Sequence, residues 1–323
     1  MAPRATEDGV APRATEDGVA QGFSPAYLFT PQPALRVRWN TNTDTPMPPD
    51  EPAAPNPPEG AIIDYYLKSA ASGPVTLEIV GSDGKLVRKY SSTDEVFTPD
   101  PATATIPLYW YRPLKALSAA AGMHRFTWDV HYQPLDGGGR IGGPNLPIAA
   151  IGHNTIAAPT TPWVNPGQFT VKLTVNGKTY SKPIVVKADP RVKTPALAMQ
   201  QVYVLSKSLY YGALDAQARV RQARALRDQI AASRAQANGA VADALTSLDK
   251  RLETLTAESG ALAGVMNILQ GADVRPTTVQ LKAISAARAT AAASTATWTA
   301  IKAVDLPALN TKLTAAGLSP LTF

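Results

Sequence analysis

The sequence predicts a multidomain α+β protein, in which an antiparallel β-sandwich is followed by an all-α helical bundle. Between residues 61 and 190, apolar residues alternate with polar ones, and turn-forming Asp-Gly and Asn-Gly pairs separate the runs. After residue 190 the apolar residues recur with a helical period and alanine becomes abundant. The chain has 29 prolines, most of which stand before residue 190 and exclude long helices there.

The segment before residue 61 is expected to precede the sandwich. Residues 1–22 contain the nonapeptide APRATEDGV twice in succession, and this polar stretch predicts a disordered or extended tail. Residues 23–60 predict an extended, proline-rich arm and connector. Prolines interrupt its apolar patches AYLF and LRVRW, so this segment adds an edge strand or lies as an arm. Residues 40–60 are interpreted as a stiff connector into the first sandwich strand.

Residues 61–190 are interpreted as a β-sandwich of immunoglobulin-like type. The run AIIDYYLK begins it, and Asp83-Gly84 supplies the tight turn of a first hairpin. A second hairpin is expected around Asn176-Gly177, where one face of the strand QFTVKLTV is apolar. GMHRFTWDVHY is a further strand, and four side chains carry its apolar bulk: Met123, Phe126, Trp128 and Val130.

Two long insertions, at about residues 94–121 and 133–166, interrupt the sandwich. Loops of this length inside a compact domain are usually functional or packed against a neighbour. They carry the four candidate ligand-binding residues: Tyr109, Trp110, Tyr111 and Trp163. Such aromatics either cover a neighbouring domain, which is the preferred interpretation, or stack on the sugar rings of a glycan.

Residues 191–323 are expected to form the helical bundle. Five start or stop signals divide this segment: Thr194-Pro195, Asn238-Gly239, Gly271, Pro276-Thr277 and Gly317. Thr194 is the expected N-cap of the first helix, with Pro195 at its first helical position. Alanine-rich helices joined by such short breaks predict a four-helix bundle or a bent stack of helical hairpins.

No constellation in the sequence predicts catalysis or a resident cofactor. The chain has no cysteine, which excludes disulfides, thiolate catalysis and zinc-thiolate sites. The three histidines, His124, His131 and His153, match no metal-ligand spacing, and structural or surface roles are preferred for them. GGGRIGG at residues 137–143 lacks the order of a phosphate-binding loop and does not stand between a strand and a helix.

The acidic residues are interpreted as solvated loop residues, and two chemical alternatives stand beside this interpretation. One is a calcium site among acids whose spacing matches no known calcium loop: Asp44, Asp50, Glu51, Glu59 and Asp64. The other is a pair of carboxylates for glycoside hydrolysis, for which Asp129 and Asp136 are conceivable members. Because neither alternative has a specific signal, no catalytic or metal-binding residue is predicted.

Charge and hydropathy exclude two classes of partner. The formal net charge is +6, but Lys and Arg form no cluster interleaved with aromatics, so nucleic-acid binding is not expected. No apolar run approaches the roughly 20 residues that a membrane helix needs, so no membrane span is expected. The opening stretch, MAPRATEDGV, lacks the apolar core of a signal peptide.

Several segments together resemble one family of large bacterial proteins. RWNTNTDTPMPPDEPAAPNPPEGAIIDYYL and GPVTLEIVGSDGKLVRKYSS are similar to the region after the propeller in proteins with BNR (Asp-box) repeats, known as sialidase-, xyloglucanase- or sortilin-like glycosyl hydrolases. AGMHRFTWDVHY, PGQFTVKLTVNGKTYSKPIVVKADPRV, LAGVMNILQGADVRPT and DLPALNTKLTAAGL continue the resemblance over residues 27–323. The chain contains no SxDxGxxW-type Asp box, so no catalytic residue is transferred.

The resemblance implies a periplasmic or extracellular protein that works beside a propeller. We expect a non-catalytic structural or interaction module, whose partners are a propeller domain or other protein subunits. One alternative is a carbohydrate-binding accessory part of a glycoside hydrolase, with Trp110 and Trp163 on the glycan. The other is a self-assembling surface or filament subunit, whose arm at residues 23–39 donates a strand to a neighbour.

Overall fold

The computed structural model of the 323-residue chain describes residues 25–38, 48, 50–52, 59–96, 98–102, 104, 106–135, 152, 153, 155 and 161–323. It has two β-sheets followed by helices, as expected of an α+β chain. The predicted tail at residues 1–22 lies outside the described residues, and so does most of the predicted connector at residues 40–60.

Eight strands form the two sheets. In chain order they are β1 (Ala26–Leu28), β2 (Ala34–Arg36), β3 (Ala61–Leu67), β4 (Thr76–Gly81), β5 (Leu86–Ser91), β6 (Gly122–Trp128), β7 (Gly167–Val175) and β8 (Lys178–Ala188). The first sheet has the order β1-β3-β6 and is antiparallel. The second has the order β2-β8-β7-β4-β5, and it curls into a half-barrel.

The N-terminal arm contributes one short strand to each sheet. β1 pairs antiparallel with β3, and β2 pairs parallel with β8. Both strands have only three residues, because Pro25, Pro31 and Pro33 bound them and proline cannot donate to a ladder. In this structure the arm therefore pairs within its own chain, where it joins the two sheets at one side.

Both predicted hairpin turns are present. Asp83 and Gly84 lie between β4 and β5, and the Asp83 carboxylate accepts a hydrogen bond from the Lys85 backbone at 3.1 Å. Asn176 and Gly177 join β7 to β8 with φ angles of 49° and 79°. Positive φ at both central residues is what a tight hairpin of right-handed twist requires, and Asn-Gly adopts it at little cost.

The predicted strand GMHRFTWDVHY is shorter than expected and buries fewer of its apolar side chains. β6 ends at Trp128, since Val130 has a φ of 54° that turns the chain away. Met123, one of the four apolar side chains of this segment, is 60% exposed and adds nothing to the core. Trp128 is fully buried, and its indole donates to the His131 carbonyl at 3.0 Å.

The helices follow the predicted breaks. They are α1 (Ala196–Arg234), α2 (Gly239–Glu253), α3 (Glu258–Leu269), α4 (Thr278–Ala300) and α5 (Leu306–Ala315). A π-helical segment at Ile301–Asp305 connects α4 to α5 without a break. Pro307 explains this local widening, because a residue without an N–H cannot continue the regular ladder.

The threonines at two predicted helix starts, Thr194 and Thr277, behave differently. Thr277 caps α4 in a capping box, in which its hydroxyl accepts from the Gln280 backbone and the Gln280 side chain accepts from Thr277. The prediction that Thr194 caps α1 was wrong, because Pro195 occupies that position and no side chain caps the helix. The Thr194 hydroxyl donates instead to the carbonyl oxygen of Asp273, in the α3–α4 loop.

Sheets and helices share one hydrophobic core. Its buried members include Trp128 and Leu173 from the sheets, Leu209 from α1 and Met266 from α3. A second cluster lies farther along the helices, between the C-terminal half of α1, α2 and α5. Within the described residues, none of the helices combines the length and the hydrophobicity that a membrane crossing requires.

Candidate functional site

The four candidate aromatics lie in two different places. Tyr109 and Trp110 end a single turn of 3-10 helix at Leu108–Trp110, and Tyr111 follows it. Trp163 lies where the sheets meet the helices. Among the described residues no ring contact joins Trp163 to the other three aromatics, so they do not form one binding surface.

The aromatic turn at residues 109–111 is held by the segment around residue 153. The His153 backbone donates to the Tyr109 carbonyl at 2.7 Å, and the Thr155 backbone donates to the Trp110 carbonyl at 3.0 Å. The rings of Tyr109 and Trp110 pack edge to face at 5.9 Å, whereas Tyr111 is buried. The Trp110 indole N–H is buried and has no partner among the described residues.

Trp163 belongs to a group of side chains that we term the seam cluster. It comprises Arg36 and Arg38 from the arm, His131 and Trp163 from the sheet domain, and Gln270 and Asp273 from the helical region. The Trp163 ring lies 3.9 Å from the His131 ring, and both guanidinium groups approach its face, at 5.8 Å for Arg36 and 5.3 Å for Arg38.

Gln270 bridges the sheet domain to the end of α3. Its side-chain oxygen accepts from the Trp163 backbone at 2.8 Å, and its side-chain nitrogen donates to the Thr161 carbonyl at 3.1 Å. Gln270 is buried, so both of its polar atoms need partners. A glutamine that binds two backbone groups in this way defines the relative position of the two segments.

Asp273 is the electrostatic centre of the seam cluster. One of its carboxylate oxygens accepts from Arg36 at 2.8 Å and from Arg38 at 3.2 Å. The side chains of Arg36 and Asp273 are each only 8% exposed. Burial lowers the pKa of Arg36, and the Asp273 carboxylate opposes this effect. Asp273 therefore compensates a buried cation, which would be costly to leave unpaired.

His131 is a buried structural histidine. Its Nδ1 lies 2.7 Å from the Asp129 carbonyl oxygen, which can only accept, so Nδ1 carries the proton in the neutral ring. Burial lowers the pKa of His131, while the nearby Asp129 acts in the opposite direction. The ring is thus held neutral against Trp163, in line with the structural role preferred for it.

Further polar contacts join the sheet domain to α1. The hydroxyls of Tyr132 and Tyr203 lie 2.8 Å apart, and the Tyr210 hydroxyl donates to the Gln133 carbonyl at 2.8 Å. Burial raises the pKa of Tyr132 and, to about 12, that of Tyr210. These phenols remain protonated hydrogen-bond donors over the ordinary pH range.

The remaining histidine and acidic candidates are separate from the seam cluster. His124 contacts the Ala120 carbonyl at 2.7 Å and packs beside Tyr65. Asp64 forms two bonds to Arg125, and Glu59 pairs with Arg112. The described part of the chain contains no group of three or more metal-ligating side chains. Asp44, Asp136 and the segment GGGRIGG lie outside the described residues.

Sequence reasoning missed most of the seam cluster: Arg36, Arg38, Gln270 and Asp273. One signal was available, because Asp273 is the only acid between residues 259 and 304. A lone carboxylate in so long a stretch suggests a specific cation partner. Its partners could not be named, since Arg36 is 237 residues away along the chain.

Comparisons with protein-family models, curated proteins and solved structures gave no significant match. Function must therefore be inferred from the chain's own residues. The buried ion pair and the buried hydrogen bonds of the seam cluster lie between the sheets and the helices, and they hold these two parts together.

Proposed function

We propose that this chain is a non-catalytic structural and interaction module. Its sheets and helices act as one rigid body that supports or orients a larger periplasmic or extracellular assembly, as the resemblance to the region after a BNR propeller implies. The observation that carries this proposal is the seam cluster, in which buried ion pairs and hydrogen bonds serve the union of the two parts.

We further propose that the sheet domain is of immunoglobulin-like type. Lettered in chain order, the strands of the first sheet correspond to A, B and E, and those of the second include G, F, C and C′. What supports this assignment is the order β1-β3-β6 beside β8-β7-β4-β5. Strands of such domains present loops at both ends of the sandwich, where partners commonly bind.

The charged groups of the seam favour a structural role over acid–base chemistry. Asp273 is engaged by two arginines, and His131 is buried with its ring against Trp163. General acid or base catalysis needs a titratable group within reach of a substrate. The side chains of Asp273 and His131 are buried and already paired, so their contacts favour a role in stabilising the fold.

The proposal is tested by assaying the purified chain against a panel of chromogenic glycosides and oligosaccharides. We expect no turnover above that of a heat-denatured sample. The proposal would be overturned by turnover that Asp129→Asn or Glu59→Gln abolishes while the circular dichroism spectrum stays unchanged.

Cross-linking in the producing cells, followed by mass spectrometry, is expected to identify a reproducible protein partner.

Carbohydrate binding at the aromatic turn is the second candidate function. The observation that favours it is the pair of partly exposed rings of Tyr109 and Trp110, which pack edge to face at 5.9 Å. Partly exposed aromatic faces suit the apolar face of a sugar ring.

A glycan array decides between the two candidates. Binding that is lost in Trp110→Ala, with unchanged stability, would favour the carbohydrate-binding function. Trp163→Ala is not an equivalent probe, because Trp163 contacts His131 and both arginines of the seam. Loss of glycan binding in Trp163→Ala could follow from disruption of the seam cluster and would not identify a glycan contact.

A further inference from the structure

Within the described residues, no other segment pairs with the outer edge of β6, which is a long sheet edge. The edge at β5 is covered, because the Gln133 backbone donates to the Val87 carbonyl at 2.9 Å and its side chain accepts from the Lys89 backbone at 3.0 Å. The edges at β1 and β2 have only three residues each. β6 spans seven residues, has no proline and pairs with β3 without a register shift. Proteins usually protect such an edge with proline, charge or a bulge.

The backbone groups that point away from the sheet at this edge can be identified from the pairing of β3. The Phe29 backbone donates to the Asp64 carbonyl at 3.1 Å, so the backbone of Asp64 faces β1. Backbone groups alternate in direction along a strand, and Arg125 stands opposite Asp64. The N–H and C=O groups of Met123, Arg125 and Thr127 therefore point outward. Within the described residues, no hydrogen bond uses them.

Charge does not protect this edge either. Arg125 is the one Lys, Arg, Asp or Glu side chain of β6, and its guanidinium donates to both Asp64 oxygens, at 2.8 and 2.9 Å. The pair leaves the outer face of the edge neutral. On the core side, Phe126 is only half-buried and packs edge to face on Tyr90 at 4.7 Å. An incoming strand would cover the exposed part of Phe126.

We propose that β6 pairs with β6 of a second copy of this chain, antiparallel about a two-fold axis at Phe126. This register places Phe126 opposite its own symmetry mate, at a position where side chains are close. It places Arg125 opposite Thr127 of the second copy. A register centred on Arg125 would set two like charges directly opposite each other, which is unfavourable.

The assembly closes at the dimer. An isologous contact uses the same surface on both copies and leaves no second β6 edge free. The two three-stranded sheets become one continuous sheet of six strands, whose outer edges are the three-residue strands β1. This dimer does not depend on the proposed function, because it follows from the backbone of one strand.

Light scattering coupled to size exclusion tests the dimer with a matched pair of variants. We expect wild type at twice 34.1 kDa and Thr127→Pro at 34.1 kDa. The Thr127 N–H points away from β3, so proline removes no hydrogen bond within the sheet. The control is Val204→Lys, at an exposed position on α1, which is expected to remain dimeric.

A cysteine pair reports the register even if the proline variant fails to fold. The chain has no native cysteine, so Phe126→Cys is expected to form one symmetric disulfide and to run at double mass without reductant. Met123→Cys, which this register holds far from its mate, is expected not to do so. A monomeric wild type at its highest soluble concentration overturns the proposal. So does a dimer that Thr127→Pro leaves intact, or one that Phe126→Cys does not cross-link.

Discussion

Single side chains decide how the two parts of this molecule are joined. Asp273 accepts hydrogen bonds from Arg36 and Arg38, and Gln270 holds the backbone at Trp163. These contacts are buried, so each lost partner would leave a polar or charged group without solvent. Substitution of one of these residues is therefore expected to reduce stability strongly.

Asp273→Asn is expected to lower the free energy of unfolding by about 3 kcal/mol, because it leaves the buried Arg36 without a counter-charge. Urea unfolding followed by circular dichroism measures the loss. Glu78→Gln is the matched control, since its partner Lys89 is exposed, and we expect it to change stability little. Equal effects of the two variants would contradict the role assigned to Asp273.

His131 is expected to make stability depend on pH below neutrality. Burial lowers its pKa in the folded state, whereas the unfolded chain has the ordinary value near 6.5. Above about pH 6.5 both states are neutral, and stability does not depend on this group. As pH falls from 6.5 toward the lowered folded pKa, the unfolded state takes up the proton first. Stability then falls by about 1.4 kcal/mol per pH unit.

The measurement compares urea unfolding of wild type and His131→Gln between about pH 7 and pH 5, the range in which a histidine titrates. Subtracting the two curves removes the contribution of carboxylates, which both proteins share. The difference in stability between them should narrow or reverse as the pH falls. Parallel curves would mean that His131 does not titrate differently in the two states.

At the scale of elements, backbone geometry at strand ends sets how β3 and β6 meet. Gly60 precedes β3 and Gly122 begins β6, with φ angles of 120° and 115°. Both conformations disfavour a side chain, but only Gly60 is crowded. A β-carbon at Gly60 would lie 2.1 Å from the Trp128 carbonyl oxygen, whereas one at Gly122 would meet nothing within 4 Å.

Gly60→Ala is therefore expected to destabilise by about 2 kcal/mol more than Gly122→Ala. Both variants bear the same backbone strain, so the difference isolates the contact with Trp128. Thermal and urea unfolding of the two variants measure it. A similar loss of stability in the two variants would show that the backbone at Gly60 and Trp128 moves apart at little cost in free energy.

At the scale of the whole molecule, α1 couples the two hydrophobic clusters. Leu209 belongs to the cluster shared with the sheets, and Leu226 belongs to the cluster with α2 and α5. Both lie on the same 39-residue helix. Because α1 contributes buried residues to both clusters, disruption of one cluster destabilises the helix and therefore the other cluster. The sheets and the helices should accordingly unfold together.

We expect a single unfolding transition. Trp298→Phe removes the one tryptophan of the second hydrophobic cluster, which lies among the helices. The four tryptophans that remain all precede the helices, so the fluorescence of this variant reports on the part of the chain before residue 164: Trp39, Trp110, Trp128 and Trp163. In this variant the fluorescence and the far-ultraviolet circular dichroism of the helices should change at the same urea concentration. Helical signal that disappears before the fluorescence would indicate two independent units.

Neighbouring residues alone define the local features of this protein. The turns at Asp83-Gly84 and Asn176-Gly177, the helix start at Pro276-Thr277 and the order of strands before helices were all predicted, because each depends on neighbouring residues. The Thr194 cap was the exception. The Thr194 hydroxyl donates to the backbone carbonyl of Asp273, which is distant in the sequence, and does not cap α1.

Contacts between segments that are distant in the sequence could be identified only from the folded chain. Trp163 was a candidate for packing or for glycan binding, and only the structure places its ring against His131 and the two arginines. The pairing of Arg36 with Asp273 spans 237 residues, and the division of the arm between two sheets depends on strands far along the chain. Such contacts form because they pair buried charges and complete sheet edges in the whole fold. A pattern of neighbouring residues does not contain this information.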